Sequence, residues 1–568
     1  MKIFIVAALL ASIKLTLAGW SNCRCTYGED CWPTSSEFAQ LESQISQPLI
    51  YPHPTGAVCY PINDPSGNCS GLDVTSTDGR WRSSQPGTME APNWETYMFK
   101  NGTISACYAN TTLGVPCTQG SVPVIGVDAR SPADIQAAVG FAVKHNLRLV
   151  VKNTGHDYLG RSTARGAFVV WTHNMKNITY NATFVPQSAP PDETYNALTV
   201  TAGVQWYEAY DAIQAQGRMM VGGVSVGGSV GASGGWVLGG GHSALSPTYG
   251  LGVDNTVEMN VVLSTGEYLT VNAYQHPDLF WAMRGGGGGT YGILTSVTYR
   301  TYPSLPIQAA LFIANSTSAP AMQDLFAEIL RLHPALSDAG WAGYGGTLNN
   351  QLFLVYIKPN GTEAQANQTF SPILSYAQNL SSQGLSTEWY PMSYNSWYSL
   401  YTQFFSGNGQ VGGNTMLGSR LLERDALENH SKELADILFP GGLTWNFVAG
   451  GEVSKIDPDS AGLNPAWRKA ILHVTFGISW DFGANAKEIQ QQIEILKAEE
   501  KALHDLTPQS GAYFNEASLF EENWQYTFFG THYPKLKAIK DKYDPYRLFV
   551  VAEGVGSEEW DGDLNCRK

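Results

Sequence analysis

From residue 122 onward the apolar positions of this chain fall into short runs separated by helical stripes. Residues 123–128 form a compact apolar run of strand length. Ile135, Val139, Ala142 and Val143 then recur three or four residues apart, which places them on one face of a helix. Ser131, Pro132 and Asp134 supply that helix with an N-cap, a first-turn proline and an N3 carboxylate. Residues 147–151 return to a strand, so the segment predicts a strand-helix-strand unit. Further strands are predicted at 168–171, 197–202, 256–263 and 268–271, the last two around a Thr265-Gly266 turn, and at 293–299. A helix is predicted at 207–216, ended by Gly217.

Near Pro303 the pattern changes. Residues 305–504 alternate strands (309–314, 352–358, 470–475) with amphipathic helices such as 321–332 and 486–503. This predicts a separate domain built on an antiparallel sheet with helices on one side. A tail, residues 505–568, carries a basic helix beginning at Tyr533. At the other end, residues 19–117 are rich in Cys, Pro and Gly with little periodicity, a loop-rich lead segment.

Composition places this architecture outside the cell. Residues 1–18 have an early lysine, an apolar core and a small-residue end, the pattern of a secretory leader cleaved before Gly19. Lys14 leaves the apolar run too short to cross a bilayer. Acceptor sequences for N-linked glycans occur at Asn68, Asn101, Asn110, Asn177, Asn181, Asn315, Asn360, Asn367, Asn379 and Asn429. Seven of the eight cysteines precede residue 118, so Cys566, if bridged, returns to the N-terminal region. The spacings of Cys59 with Cys69 and Cys107 with Cys117 suit local loops, while the full connectivity stays open. No Cys-x-x-Cys occurs, and no metal is expected. A net charge of -15 and a pI near 5.2 disfavour nucleic acid and anionic membrane as partners. A monomer acting on a small molecule is expected.

Three motifs carry candidate chemistry. Gly287 to Gly292 matches G-x-G-x-x-G, but a β-branched strand follows where a dinucleotide fingerprint needs a helix. Residues 223–227 and 231–235 both match G-x-S-x-G, which would make Ser225 or Ser233 a hydrolase nucleophile; no helical pattern follows either copy. The stretch 221–243 is so dense in glycine that its backbone N-H groups can form an anion cradle suited to a pyrophosphate. His156, in VKNTGHDYLG just past a strand, is by itself an ordinary turn histidine.

Taken in order, Lys152 to Asp157, the run from Gly239 to Asn255, Arg284 to Gly292 and Lys542 to Phe549 resemble the FAD-linked oxidases of the vanillyl-alcohol-oxidase type. Within them the chain is most similar to the berberine-bridge-enzyme-like branch and to secreted fungal isoamyl alcohol oxidases, as are 464–468 and 554–560. The resemblance implies an α+β fold: a two-lobed PCMH-type FAD-binding domain from 118–304 and the tail, with the substrate domain inserted between.

The resemblance also assigns roles. His156 would be bonded to the flavin 8α-methyl, with Asn153, Thr154, Gly155 and Asp157 around the cofactor. Gly228, Ser229, Ser233, Gly234, Gly239, Gly240, Gly241 and His242 would contact it from the glycine stretch, and Asp254, Asn255, Gly292, Ile293 and Tyr543 from further on. Many relatives add a cysteine bond where this chain has Gly228, so a single covalent link is expected here. Ser233 falls near the gate for dioxygen. The implied reaction is hydride transfer from an alcohol or carbohydrate-type C-H to flavin, with dioxygen as acceptor and hydrogen peroxide as product. Tyr158, Glu516 and Glu553 are the candidate bases. Arg547 stands where plant members carry Asn. A flavin dehydrogenase or an oxidative-cyclisation enzyme of secondary metabolism is the alternative, and a secreted serine hydrolase a more distant one.

Overall fold

The strand-helix-strand unit forms as its pattern dictates. In the computed structural model, which describes residues 22–568 except 64, 349 and 408–410, strand Ile125–Asp128 leads to helix Pro132–Lys144 and strand Leu149–Lys152. The leader lies outside the described residues. The Ser131 hydroxyl accepts from the Asp134 N-H, and the Asp134 carboxylate accepts from the Ser131 N-H. Ile135, Ala138, Val139 and Ala142 are buried against Val127, Leu149, Phe168 and Val170. The sheet runs Leu49–Ile50, Ile125–Asp128, Phe168–Trp171, Leu149–Lys152, its last three strands parallel.

The second lobe is an antiparallel sheet of five strands, ordered Tyr268–Asn272, Thr256–Val262, Ile293–Arg300, Tyr195–Thr201, Ile178–Phe184. Helix Trp206–Gln214 buries Trp206, Ala209, Tyr210 and Ile213 in the same core.

A seven-stranded antiparallel sheet follows, ordered Leu385–Tyr394, Ile307–Ser316, Gln351–Pro359, Ala342–Leu348, Leu443–Phe447, Ala470–Trp480, Asn414–Glu423. Side chains alternate across it with the period of a strand. Leu443, Trp445, Phe447, Leu472, Val474, Phe476 and Ile478 join a core with helices Ala319–Asp338, Glu363–Asn379 and Ala486–Leu506. Thr444, Asn446, Thr475 and Ser479 face the other way, into a cavity.

The chain then returns. After helix Tyr533–Tyr543, Leu548 and Phe549 enter the core of the first lobe. Cys23 is bridged to Cys566, closing the two ends on each other. Cys25–Cys31, Cys59–Cys69 and Cys107–Cys117 staple the lead segment. One expectation is corrected: 231–235 does lead into a helix, the single turn Gly235–Leu238.

Candidate active site

Between the lobes and the large sheet lies a cavity of about 920 Å³. The first lobe supplies its 153–158 loop, the second Gly231, Ser233, Gly234 and Gly235, the tail Phe549, Val550 and Val551, and the large sheet Tyr344, Thr347 and Asn446. Such a volume suits a cofactor together with a small substrate.

The 153–158 loop is shaped around something absent from the chain. The backbone N-H groups of residues 154–158 have no acceptor among the described residues. Five successive free N-H groups, with Gly155 at φ +87°, form a concavity for an anion. Asp157 fixes the loop from behind: its Oδ1 accepts from the N-H of Leu159 (2.9 Å) and Arg161 (2.8 Å), and its Oδ2 pairs with the Arg161 guanidinium. On the facing wall a Cβ at Gly235 would meet nothing within 4 Å, so any side chain there would fill cavity space. An anion cradle beside a side-chain-free wall fits the pyrophosphate and flat ring of FAD.

His156 lines the cavity with its Nε2 2.7 Å from the Ser229 hydroxyl and 3.7 Å from Glu90 Oε1. Burial, aided by the Lys152 charge, holds its pKa down to about 3, so the imidazole is neutral. Burial likewise pushes Glu90 up to about 8 and Lys152 down to about 7, although each attracts the other.

Glu516 is the second centre. Its Oε1 lies 3.2 Å from His242 Nε2 and its Oε2 3.5 Å from His473 Nδ1. The quarter of its side chain that remains exposed faces the cavity interior. Burial alone would raise this carboxyl, but the two histidines outweigh it and its pKa is lowered. His473, buried to about 3, stays neutral. Three such groups could ligate a cation, yet His242 Nδ1 and His473 Nε2 are buried without partners. Metal-bound histidines normally hand that second N-H to an acceptor. The arrangement therefore reads as a carboxylate bonded to the His242 imidazole, with His473, whose Nδ1 meets the Asn446 amide at 3.1 Å, close beside it. Tyr158 also lines the cavity; burial and the Glu516 charge push its phenol up, which makes it a donor rather than a base.

Residues 123–272 match the family model described as FAD binding domain, and 512–556 match berberine and berberine like. A FAD-linked oxidoreductase of Arthroderma benhamiae is 37% identical over 99% of both chains. The chain belongs to the FAD-linked oxidoreductases of the vanillyl-alcohol-oxidase and berberine-bridge type. The solved structure of the VAO-type flavoprotein MtVAO713 from Myceliophthora thermophila C1 is similar to this FAD-linked oxidoreductase with a TM-score of 0.86 and 28% identity, covering 96% of this chain and 100% of that one. Glucooligosaccharide oxidase from Acremonium strictum shares the fold at 22% identity and a TM-score of 0.63, over 77% of this chain and 92% of that one.

The oxidoreductase brings only part of the expected set to the cavity. Asn153, Thr154, Gly155, His156, Asp157, Tyr158, Ser233, Gly234, His242, Gly292, Ile293 and Glu516 line it. Ser229 stands behind the wall, bonded to His156. Gly228 and Gly239 are packing positions: a Cβ would lie 2.1 Å from Tyr401 Oη in the first and 2.4 Å from Asn515 in the second. Gly240 and Gly241 pack likewise against Leu463 and Trp236. Asp254 pairs with Arg468, Asn255 donates to the carbonyls of Tyr249, Gly250 and Leu251, and the Tyr543 hydroxyl donates to Asp278.

Glu553 stands off the cavity, pushed up to about 9 by burial beside Glu521 and Glu500. Ser233 donates to the Ala202 carbonyl at 2.8 Å, and Ser225 accepts from the Val230 N-H; both hydroxyls serve the backbone and neither meets a histidine. Sequence reasoning missed Glu90, His473, Tyr344, Asn446, Tyr513 and Asn515. None of them belongs to a motif.

Proposed function

We propose that this oxidoreductase is a secreted oxidase that removes a hydride and a proton from the carbinol group of a neutral, hydroxyl-bearing substrate such as an alcohol or carbohydrate. The observation that carries this is Glu516, an ionised carboxylate on the cavity wall with an imidazole nitrogen beside each oxygen. Asn153 to Asp157 and the Gly234–Gly235 wall would hold FAD. When bound, FAD accepts the hydride and passes the electron pair to dioxygen, giving hydrogen peroxide.

The chain's own groups do the rest. Glu516 takes the substrate hydroxyl proton, a transfer favoured because its two histidines keep it ionised. Tyr158 donates a hydrogen bond into the site. Thr347, Thr444, Thr475, Asn446 and Ser479 offer uncharged hydrogen-bonding groups from the sheet, beside Phe353 and Phe405, a wall that suits a neutral hydroxylated ligand. His156 serves as the sole covalent tether, a reading supported by eight disulfide-bonded cysteines and by the absence of room at Gly228. The histidyl flavin named for glucooligosaccharide oxidase is consistent with it.

Export is supported by the four disulfides and by nine of the ten acceptor asparagines being exposed, Asn315 alone being half-buried. We take 118–304 with 505–568 as the flavin-holding domain and 305–504 as the substrate-covering one. Anaerobic bleaching of the flavin across an alcohol and carbohydrate panel, followed by a peroxide assay in air, tests the whole reading. Bleaching without peroxide on aeration would make it a dehydrogenase, and a native protein free of FAD would exclude both.

A further inference from the structure

His156 is backed by a polar network that neither substrate binding nor the Glu516 base requires. Nε2 of the imidazole meets Ser229, a fully buried residue behind the cavity wall, which leaves Nδ1 as the ring nitrogen for the cavity. Beyond lies Glu90, 4% exposed, contributed by the disulfide-stapled lead segment. Its Oε1 accepts from the Ser83 hydroxyl at 2.9 Å and approaches His156 Nε2 at 3.7 Å, while its Oε2 has no partner among the described residues. The Glu90 backbone N-H donates to the Gly155 carbonyl at 3.0 Å, tying this carboxyl to the His156 loop. A buried carboxylate oxygen without a partner is costly in a purely structural role.

We propose that Glu90, with Ser229 holding the ring, is the proton relay through which His156 Nδ1 becomes covalently attached to the flavin. This rests on the reading of His156 as tether. The bond formed joins Nδ1 to the flavin 8α-carbon, and the bonds broken are one C-H of that methyl group and the Nε2-H of the imidazole. Ser229, 2.7 Å from Nε2, holds the ring, and the Nε2 proton passes to the Glu90 carboxylate, whose Oε1 lies 3.7 Å from the same nitrogen. The two electrons released pass through the flavin ring to dioxygen, which with the two protons leaves as hydrogen peroxide, so the reaction balances without any further reagent. Glu90 and Ser229 are positioning residues here, since both act on the flavin through His156.

The relay has a pH signature. Arg82 and Lys152 favour the Glu90 carboxylate, while burial and Asp78 oppose it. Burial prevails and the carboxyl sits at about 8, so its accepting form grows as pH rises from 6 to 9. Attachment should accelerate over that interval.

Full-length chain expressed under riboflavin starvation can be incubated with FAD, quenched in acid, and assayed for flavin fluorescence retained by the denatured polypeptide. Wild type is expected to become acid-stably labelled, faster at pH 9 than at pH 6. Glu90→Gln should bind FAD in the native state yet attach it at least about tenfold more slowly, without the pH dependence, and Glu90→Asp should restore part of both. Ser229→Ala should also be slow, and it decides the question if Glu90→Gln does not fold. Variants that match wild type in rate and pH profile overturn the relay alone. Wild type that releases all its FAD in acid overturns the tether, and the relay with it.

Discussion

Glu516 and Glu553 are both buried carboxyls, and their surroundings send them in opposite directions. Two histidines lower Glu516, whereas Glu553, beside Glu521 and Glu500, rises to about 9. Only the first can serve as a base at neutral pH. Glu516→Gln should therefore lower turnover by about 10²–10⁴-fold with flavin content intact, and Glu553→Gln should leave turnover near wild type. Because Glu516 is held below the ordinary 4.5, kcat/KM should stay level as pH falls from 7 to 5 and drop only below 4.5. An acid limb centred near pH 6 would assign the base to another group. His156 and Glu516 were legible in the sequence because motifs or the tail's resemblance frame them. His473 and Glu90 were not. His473 is one inward position of a long apolar strand, and Glu90 sits in a lead segment without periodicity, so both acquire meaning only from what the fold brings beside them.

At the scale of elements, strands that pack on both faces were read to within a residue or two: Phe168–Trp171 is a continuous apolar run, and Thr256–Val262 alternates apolar and polar positions before closing on Val261 and Val262. Strands with one solvated face escaped. Ile178–Phe184 exposes four of its seven side chains and Leu385–Tyr394 five of its ten, and Ala342–Leu348 contains Gly343, Gly345 and Gly346, which read as a loop. Gly343 is there because a Cβ would lie 2.2 Å from the Val355 carbonyl of the neighbouring strand. The glycine stretch divides in the same way, between positions pressed by protein and positions open to the cavity. At Gly222 a Cβ would come within 2.4 Å of Trp206, whereas at Gly235 it would meet nothing within 4 Å. Gly222→Ala should cost roughly 1–3 kcal/mol of stability by overpacking. Gly235→Leu should instead lower flavin content per chain while leaving the melting temperature of the flavin-free protein unchanged. If both variants lost stability alike, the Gly235 wall would be structural and not a cofactor face.

The molecule as a whole is closed by Cys23–Cys566, a joining of ends that seven early cysteines and one late one already implied. Inside it the buried titratable groups set how stability responds to pH. His156, His173, His333 and His473 are all depressed to about 3 by burial, so below pH 6.5 they make the unfolded chain the better proton binder and contribute a stability that rises with pH. Above pH 6.5 these histidines contribute no further slope. Glu90 and Glu500 at about 8, Glu553 at about 9 and, up to pH 7, Glu499 at about 7 are then still protonated in the folded chain but ionised in the unfolded one. The unfolded state now binds fewer protons, and stability falls as pH rises. Lys152, depressed to about 7, works the other way above that pH, one group against three. The melting temperature should therefore decline from pH 6.5 to 8. Glu553→Gln should flatten the decline, by at most about 1.4 kcal/mol per pH unit for one proton. A melting temperature that rose over this interval at constant ionic strength would mean that these carboxyls are already ionised in the native protein, and that their burial is relieved by charges or water reaching them.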